Sequence, residues 1–400
     1  MKLNFKKRIL VVILLVTGCC TSAQDTRTQY PPGLRNAYFG VNIGYINYPF
    51  SSLQLEPGYS VQSISVPHTA VRIVLYGCPI NKYLSARITY MRPVSWVLYK
   101  NINGDLQQHS VWMNIAGLTL QGQVPLSKKV SISAEAGLGV ITRNGFEINN
   151  VPVVKNANYG TGLFGGAVQY HLNKKWDLQL STAFSPEQKK TRQPHTLFIG
   201  AGFNYHLPAL PAEKVERNAK SGYNFPKEFI MAGYTTNGLG YGVNNAVSKG
   251  PVPVFWGGDA HVKNGFSISY QRNIFHARKV FAMDWAVHTG FWTSRDKKEN
   301  FFTASLNPVF RFNFFRTKPA DIFLEYSVAG PTFISKTNVD GIGLGRKFTF
   351  HDFMGIGAFT SKSRRVHIGM RIAHYSNGNI FPQNDGVMIP LTFSGGYVIK

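Results

Sequence analysis

Along most of the chain, apolar and polar positions alternate with a period of two, and the helical spacing of three and four is hard to find. The alternating segments are separated by clusters of Gly, Asn, Pro and Lys. They predict strands near 37–48, 69–79, 83–98, 110–124, 129–142, 158–172, 175–186 and 194–206. A second set follows near 228–243, 263–274, 280–294, 299–315, 320–334, 344–360, 365–376 and 387–399. In the first strand Phe39, Val41, Ile43 and Tyr45 alternate with Gly40, Asn42 and Gly44. One face suits hydrocarbon; the small, polar face suits a narrow lumen. Long, glycine-rich strands with aromatic ends predict membrane-spanning antiparallel barrels. Lipid offers no water to an open edge, so each sheet must close on itself.

The two sets are separated by LPALPAEKVERNAKSGYNFP, with Pro208, Pro211 and Pro226, several charges and almost no alternation. It reads as a linker over 208–226. The expected organisation is therefore an all-β chain of two tandem eight-stranded barrels, at 24–207 and 227–400. An even strand number returns each barrel's end to the side where it began, so a short linker can join them. The competing architecture is one barrel of about sixteen strands.

Residues 1–23, MKLNFKKRILVVILLVTGCCTSA, have the form of a signal peptide. Lys2, Lys6, Lys7 and Arg8 precede the short apolar run Ile9 to Val16, and Thr21-Ser22-Ala23 offers a cleavage site before Gln24. Val16-Thr17-Gly18-Cys19 also resembles a lipoprotein processing site, which would lipidate Cys19. Export leaves Cys78 as the only thiol, read as a small buried residue. Lys and Arg number 43 against 19 Asp and Glu, a net charge of +24. That excess points to an anionic partner, and export disfavours nucleic acid. His171, His206, His288 and His367 lack ligand spacing, so no metal or other cofactor is expected. Gly238-Leu239-Gly240-Tyr241-Gly242 reads as barrel strand and not as a phosphate loop. Lys189, Lys190, Arg192, Lys297 and Lys298 cluster near loops, as solvated surface or as contacts for lipid phosphates.

Candidate chemistry lies in RRVHIGMRIAHYSNGNIFPQNDGVMIPLTF, from Arg364 to Phe393. Val366, Ile368, Met370 and Ile372 share one strand face, and period two puts His374 and Ser376 in the same row. With a periplasmic C-terminus, that strand ascends and places both at the outer rim. An imidazole beside a serine hydroxyl can remove its proton and make it a nucleophile toward an ester. Asn377, Gly378 and Asn384 are close enough in sequence to stabilise an oxyanion.

This stretch resembles the lipid A 3-O-deacylase family, outer-membrane esterases on an eight-stranded barrel. The resemblance rests on His374-Tyr375-Ser376-Asn377-Gly378, then Pro382, then Asn384-Asp385-Gly386. Phe348-Thr349-Phe350-His351-Asp352, Gly355-Ile356-Gly357 and Glu325 to Pro331 add support over about 225–400. It implies His374 as general base, Ser376 as nucleophile, and Asn384 with the Gly378 amide as oxyanion hole. The implied substrate is lipid A or lipopolysaccharide in the outer leaflet, without a cofactor. The family's catalytic glutamate falls where this chain has Met388, and a thioether cannot orient an imidazole. A turn centred on Ser363 sets Asp352 opposite His374 on the same face, which makes it the candidate orienting acid. Asp385 is a second candidate. The alternatives are a non-catalytic barrel that binds lipopolysaccharide or a partner protein, and, for sixteen strands, a small-solute pore.

Overall fold

The computed structural model describes residues 27–249 and 255–400; the segment expected to be a signal peptide, 1–23, and with it Cys19, lies outside them. Eight long strands form the first barrel: β1 (Tyr38–Asn47), β2 (Thr69–Pro79), β3 (Leu84–Pro93), β4 (Asp105–Pro125), β5 (Val130–Asn144), β6 (Ala157–His171), β7 (Trp176–Ser185) and β8 (Thr196–His206). Each pairs antiparallel with the next, and the pairing of β1 with β8 closes the sheet. The second barrel comprises β9 (Glu228–Thr236), β10 (Ala260–His276), β11 (Phe281–Ser294), β12 (Asn300–Arg316), β13 (Ala320–Ile334), β14 (Phe348–Thr360), β15 (Val366–Ser376) and β16 (Val387–Val398). It closes where β9 meets β16. Two closed eight-stranded barrels replace the single sixteen-stranded alternative.

Outward rows carry Ile43, Leu118, Leu138 and Leu180 in the first barrel and Phe266, Val287, Phe291 and Ile368 in the second, all exposed. Apolar surface this extensive, on closed sheets, suits hydrocarbon. The lumens are filled. In the first, Glu135 accepts from Arg72 and Arg87, both buried. In the second, Arg311 makes a bidentate pair with Asp284, at 2.6 and 3.0 Å, among the rings of Phe229, Phe323 and Phe359.

Both barrels have one end of short turns, such as Ile80–Tyr83 and residues 317–319, beside the linker. The opposite end carries the long connections, including 237–259, 335–347 and 377–386. It also carries short hairpin strands at Val61–Ser65, Val97–Ile102, Phe146–Ile148 and Val151–Val154, which local alternation does not reveal. The linker contains a helix, α1 (Ala212–Ala219).

Two sequence expectations are corrected. The strand expected over 228–243 stops at Thr236; Gly238–Gly242 turns, with Gly240 at φ +70°, into a short helix, α2 (Gly242–Ser248). Positive φ is available to glycine at little cost, and here it redirects the chain instead of extending a strand. Cys78 is half-buried, because a register shift between Val74 and Tyr76 disturbs the alternation of β2.

Asp340, in the 335–347 connection, accepts from Ser294 Oγ at 2.5 Å and from the Lys297 and Asp296 amides. Burial pushes its carboxyl up, but these donors pull harder and hold it below the usual range. A depressed carboxylate stabilises the fold above its unfolded pKa and loses that contribution as pH falls through the folded one. The 335–347 connection is therefore expected to loosen in strong acid before the barrel opens. Hydrogen exchange at neutral and acid pH checks this; unchanged protection there would contradict it.

Candidate functional site

Strand β15 pairs with β14 without a shift, from Thr360–Val366 to Phe350–Ser376. Alternation is therefore kept along its length. Val366, Ile368 and Met370 are exposed on the outer face, and the same row continues to His374 and Ser376. The opposite row turns inward: His367 and Arg371 are buried in the lumen, and Ala373 and Tyr375 join the interior apolar cluster.

His374 is nevertheless only 3% exposed. The outer face is covered here, so the open lipid-facing stripe expected from the sequence ends before this residue. The Phe255 ring lies 6.5 Å from the imidazole, edge to face. Asn244 of α2 donates to the Ile389 carbonyl at 3.0 Å and ties the cover to β16. Gly386 presses closest: a Cβ there would come within 2.7 Å of His374 Nε2, and its φ is +72°. Both features require glycine. Ser376 is half-buried and borders a recess at the long-loop rim, with Ile334, Leu344, Thr349 and Asn384.

Cross-strand pairing flanks the imidazole with two side chains. Asp352 of β14 is its partner on one side and Met388 of β16 on the other. Asp352 Oδ2 lies 3.7 Å from His374 Nδ1, an ion-pair distance longer than a hydrogen bond. Nδ1 is buried and has no hydrogen-bond partner among the described residues. The other carboxylate oxygen accepts from the Ala329 amide at 2.5 Å. Ala329 has φ +56° within a bulge of β13, between Ser327 and Gly330. Asp352 thus satisfies a bulge amide and faces the imidazole at once. Among the described residues no hydrogen bond joins Ser376 Oγ to His374, a contact that commonly tightens only with substrate in place.

The 377–386 loop is ordered by its own amides. Asn384 Oδ1 accepts from the Asn377 amide at 2.6 Å, and Asn384 Nδ2 donates to Asn379 Oδ1 at 2.8 Å. Asn377, fully buried, donates to the Leu344 and Gln383 carbonyls. Gly378 has φ +61°, and its amide has no acceptor among the described residues. Two donors are therefore held near Ser376. Asp385 belongs to the same loop but has no contact with the imidazole among the described residues. Burial, then the neighbouring Asp259, pushes its carboxyl above the usual range. That makes it a poor stabiliser of imidazolium, so Asp385→Asn is expected to keep near wild-type turnover. A loss as large as that of a His374 variant would make Asp385 the orienting acid.

The other histidines are accounted for elsewhere. His288 is buried beside His351, and His171 and His206 both bind Asp177, at 2.8 and 2.7 Å. Lys189, Lys190, Arg192, Lys297 and Lys298 all lie at the long-loop end, the end that holds Ser376. Sequence reasoning missed Phe255, and it named Gly386 and Ala329 only within motifs, without the roles they have here. Of these, only the Asn-Asp-Gly run carried a local signal, for a backbone turn.

Residues 264–389 match the family described as Lipid A 3-O-deacylase (PagL), a span that includes Asp352, His374, Ser376, Gly378, Asn384 and Met388. Among solved structures, the outer membrane enzyme PagL is similar at 18% identity over 43% of this chain and 99% of that one, with a TM-score of 0.31. The N-terminal β-barrel domain of Pseudomonas aeruginosa OprF is similar at 10% identity over 43% and 98%, with a TM-score of 0.29. Neisserial surface protein A is similar at 14% identity over 42% and 96%, also with a TM-score of 0.29. No curated protein matches the chain. Within the C-terminal half, residues 264–389 thus resemble the lipid A 3-O-deacylase family.

Proposed function

We propose that the C-terminal barrel is an outer-membrane esterase that hydrolyses an ester-linked acyl chain of lipid A or lipopolysaccharide. The observation that carries this reading is the His374 ring, in the outward row at the long-loop end, with Asp352 3.7 Å from Nδ1 and Ser376 two positions further along the same row. Long loops face outward in outer-membrane barrels, so the pair lies on the side of the outer leaflet, where lipopolysaccharide resides, with Ser376 bordering the recess and His374 beneath its cover.

His374 takes the hydroxyl proton as Ser376 Oγ attacks the acyl carbonyl. The Gly378 amide and the Asn384 side chain hold the charge that develops on the carbonyl oxygen. Collapse breaks the ester bond, and His374 returns the proton to the departing sugar hydroxyl. His374 then takes a proton from water as the water oxygen attacks the acyl carbon, and returns it to Ser376 Oγ as the acyl–serine bond breaks and the fatty acid leaves. Asp352 supplies the carboxylate that holds His374 in its working orientation, in place of the glutamate that Met388 replaces. The basic residues at the same rim offer contacts for lipid A phosphates.

Met388 also favours a second reading, a barrel that binds lipopolysaccharide without cleaving it. Mass spectrometry of lipid A from cells carrying the wild type or Ser376→Ala separates the two. The wild type is expected to remove one acyl chain and the variant none. Identical acyl patterns would remove the esterase and leave the binder.

A further inference from the structure

The outward rows of the first barrel are largely apolar, and near the long-loop end they carry a polar group of three, two of them buried. Asn114 of β4, Thr142 of β5 and Asn158 of β6 are direct cross-strand neighbours there, in rows that otherwise present Leu118, Leu120, Leu138, Phe164 and Val168. Polar side chains on the lipid-facing side of a barrel are costly unless something satisfies them. All three donate to the second barrel, while Asn114 Oδ1 is buried without a partner among the described residues. Asn114 Nδ2 donates to the Asn379 carbonyl at 2.7 Å. Thr142 Oγ1 and Asn158 Nδ2 both donate to the Ile380 carbonyl at 2.6 Å. Asn158 Nδ2 also reaches Thr142 Oγ1 at 2.8 Å, which locks the row together.

The two carbonyls belong to the loop that carries Gly378 and Asn384. The hydrogen bonds continue inward without a break: the Asn379 side chain accepts from Asn384 Nδ2, and Asn384 Oδ1 accepts from the Asn377 amide. We propose that the first barrel is a positioning scaffold for the ester-cleaving site. Asn114, Thr142 and Asn158 clamp residues 379 and 380 from outside and so fix the side chain of Asn384, the proposed oxyanion donor. This rests on the esterase reading above and adds a role for the N-terminal half. A loop of ten residues between strand ends has many conformations, and holding donors at fixed distances is what such a site requires. Asn114, Thr142 and Asn158 are positioning residues; none touches the reacting atoms.

The test uses the full chain in outer membranes, with Ser376→Ala as reference. Thr142→Val keeps shape but removes the hydroxyl, and Thr142→Ser restores it. With Asn114→Ala and Asn158→Ala added to Thr142→Val, kcat is expected to fall about tenfold or more with KM little changed. Thr142→Ser alone is expected to retain wild-type kcat. Hydrogen exchange in 377–386 is expected to quicken in the triple variant while both barrels stay folded, seen as heat-modifiable mobility in gels. If the triple variant fails to fold, Thr142→Val alone carries both readouts. Wild-type kcat, or unchanged exchange in the loop, overturns the scaffold. An active Ser376→Ala instead overturns the esterase reading, and loop exchange then still decides whether the first barrel holds this loop.

Discussion

Asp352→Asn is expected to lower turnover by a hundredfold or more, on the order of what removing the orienting carboxylate from a Ser-His pair costs elsewhere. Asparagine keeps a side-chain oxygen for the Ala329 amide, so the bulge in β13 stays satisfied. What it removes is the negative charge 3.7 Å from His374 Nδ1. Structural and electrostatic roles are thereby separated in one substitution. Met388 provides the complementary variant. It is paired with His374 from the opposite strand and is 2% exposed, so Met388→Glu would approach the same ring from its other side. In the Asp352→Asn background that change should recover part of the lost turnover. Wild-type rates for Asp352→Asn, measured on purified lipopolysaccharide, would show that the carboxylate serves the bulge alone.

Glu135→Gln is expected to cost the first barrel about 3–5 kcal/mol, the range for breaking a buried ion pair by removing one partner. Glu135 is the acceptor shared by Arg72 and Arg87, whose side chains are 2% and 3% exposed. Glutamine leaves two guanidinium groups in a closed lumen without a counter-charge. Replacing all three by methionine should cost far less, because no unpaired charge remains. Thermal unfolding followed by gel mobility checks both variants. Equal melting of Glu135→Gln and wild type would show that water already screens these charges.

The parts of the fold legible in the sequence are those set by local alternation. Thr69–Pro79 and Ala320–Ile334 follow directly from period two and their flanking turns. The cross-strand neighbour of His374 was also legible. Hairpin register depends only on where the turn is centred, and a turn centred on Ser363 pairs 352 with 374. Features built from distant residues were not. Phe255 covers His374 from another strand connection, and Asn114 reaches Asn379 across 265 positions; neither leaves a periodic trace. Gly238–Gly242 misled because glycine serves close-packed strands and tight turns alike, and only Gly240's positive φ distinguishes them.

Ester cleavage requires Ser376 to be a nucleophile made reactive by His374 on the outer face of the second barrel. Labelling outer membranes with a long-chain alkyl fluorophosphonate, followed by peptide mapping, reads this directly. The predicted result is one adduct, on Ser376, lost in His374→Gln and slowed in Asp352→Asn. An unmodified Ser376, or equal labelling in the His374→Gln variant, would contradict it.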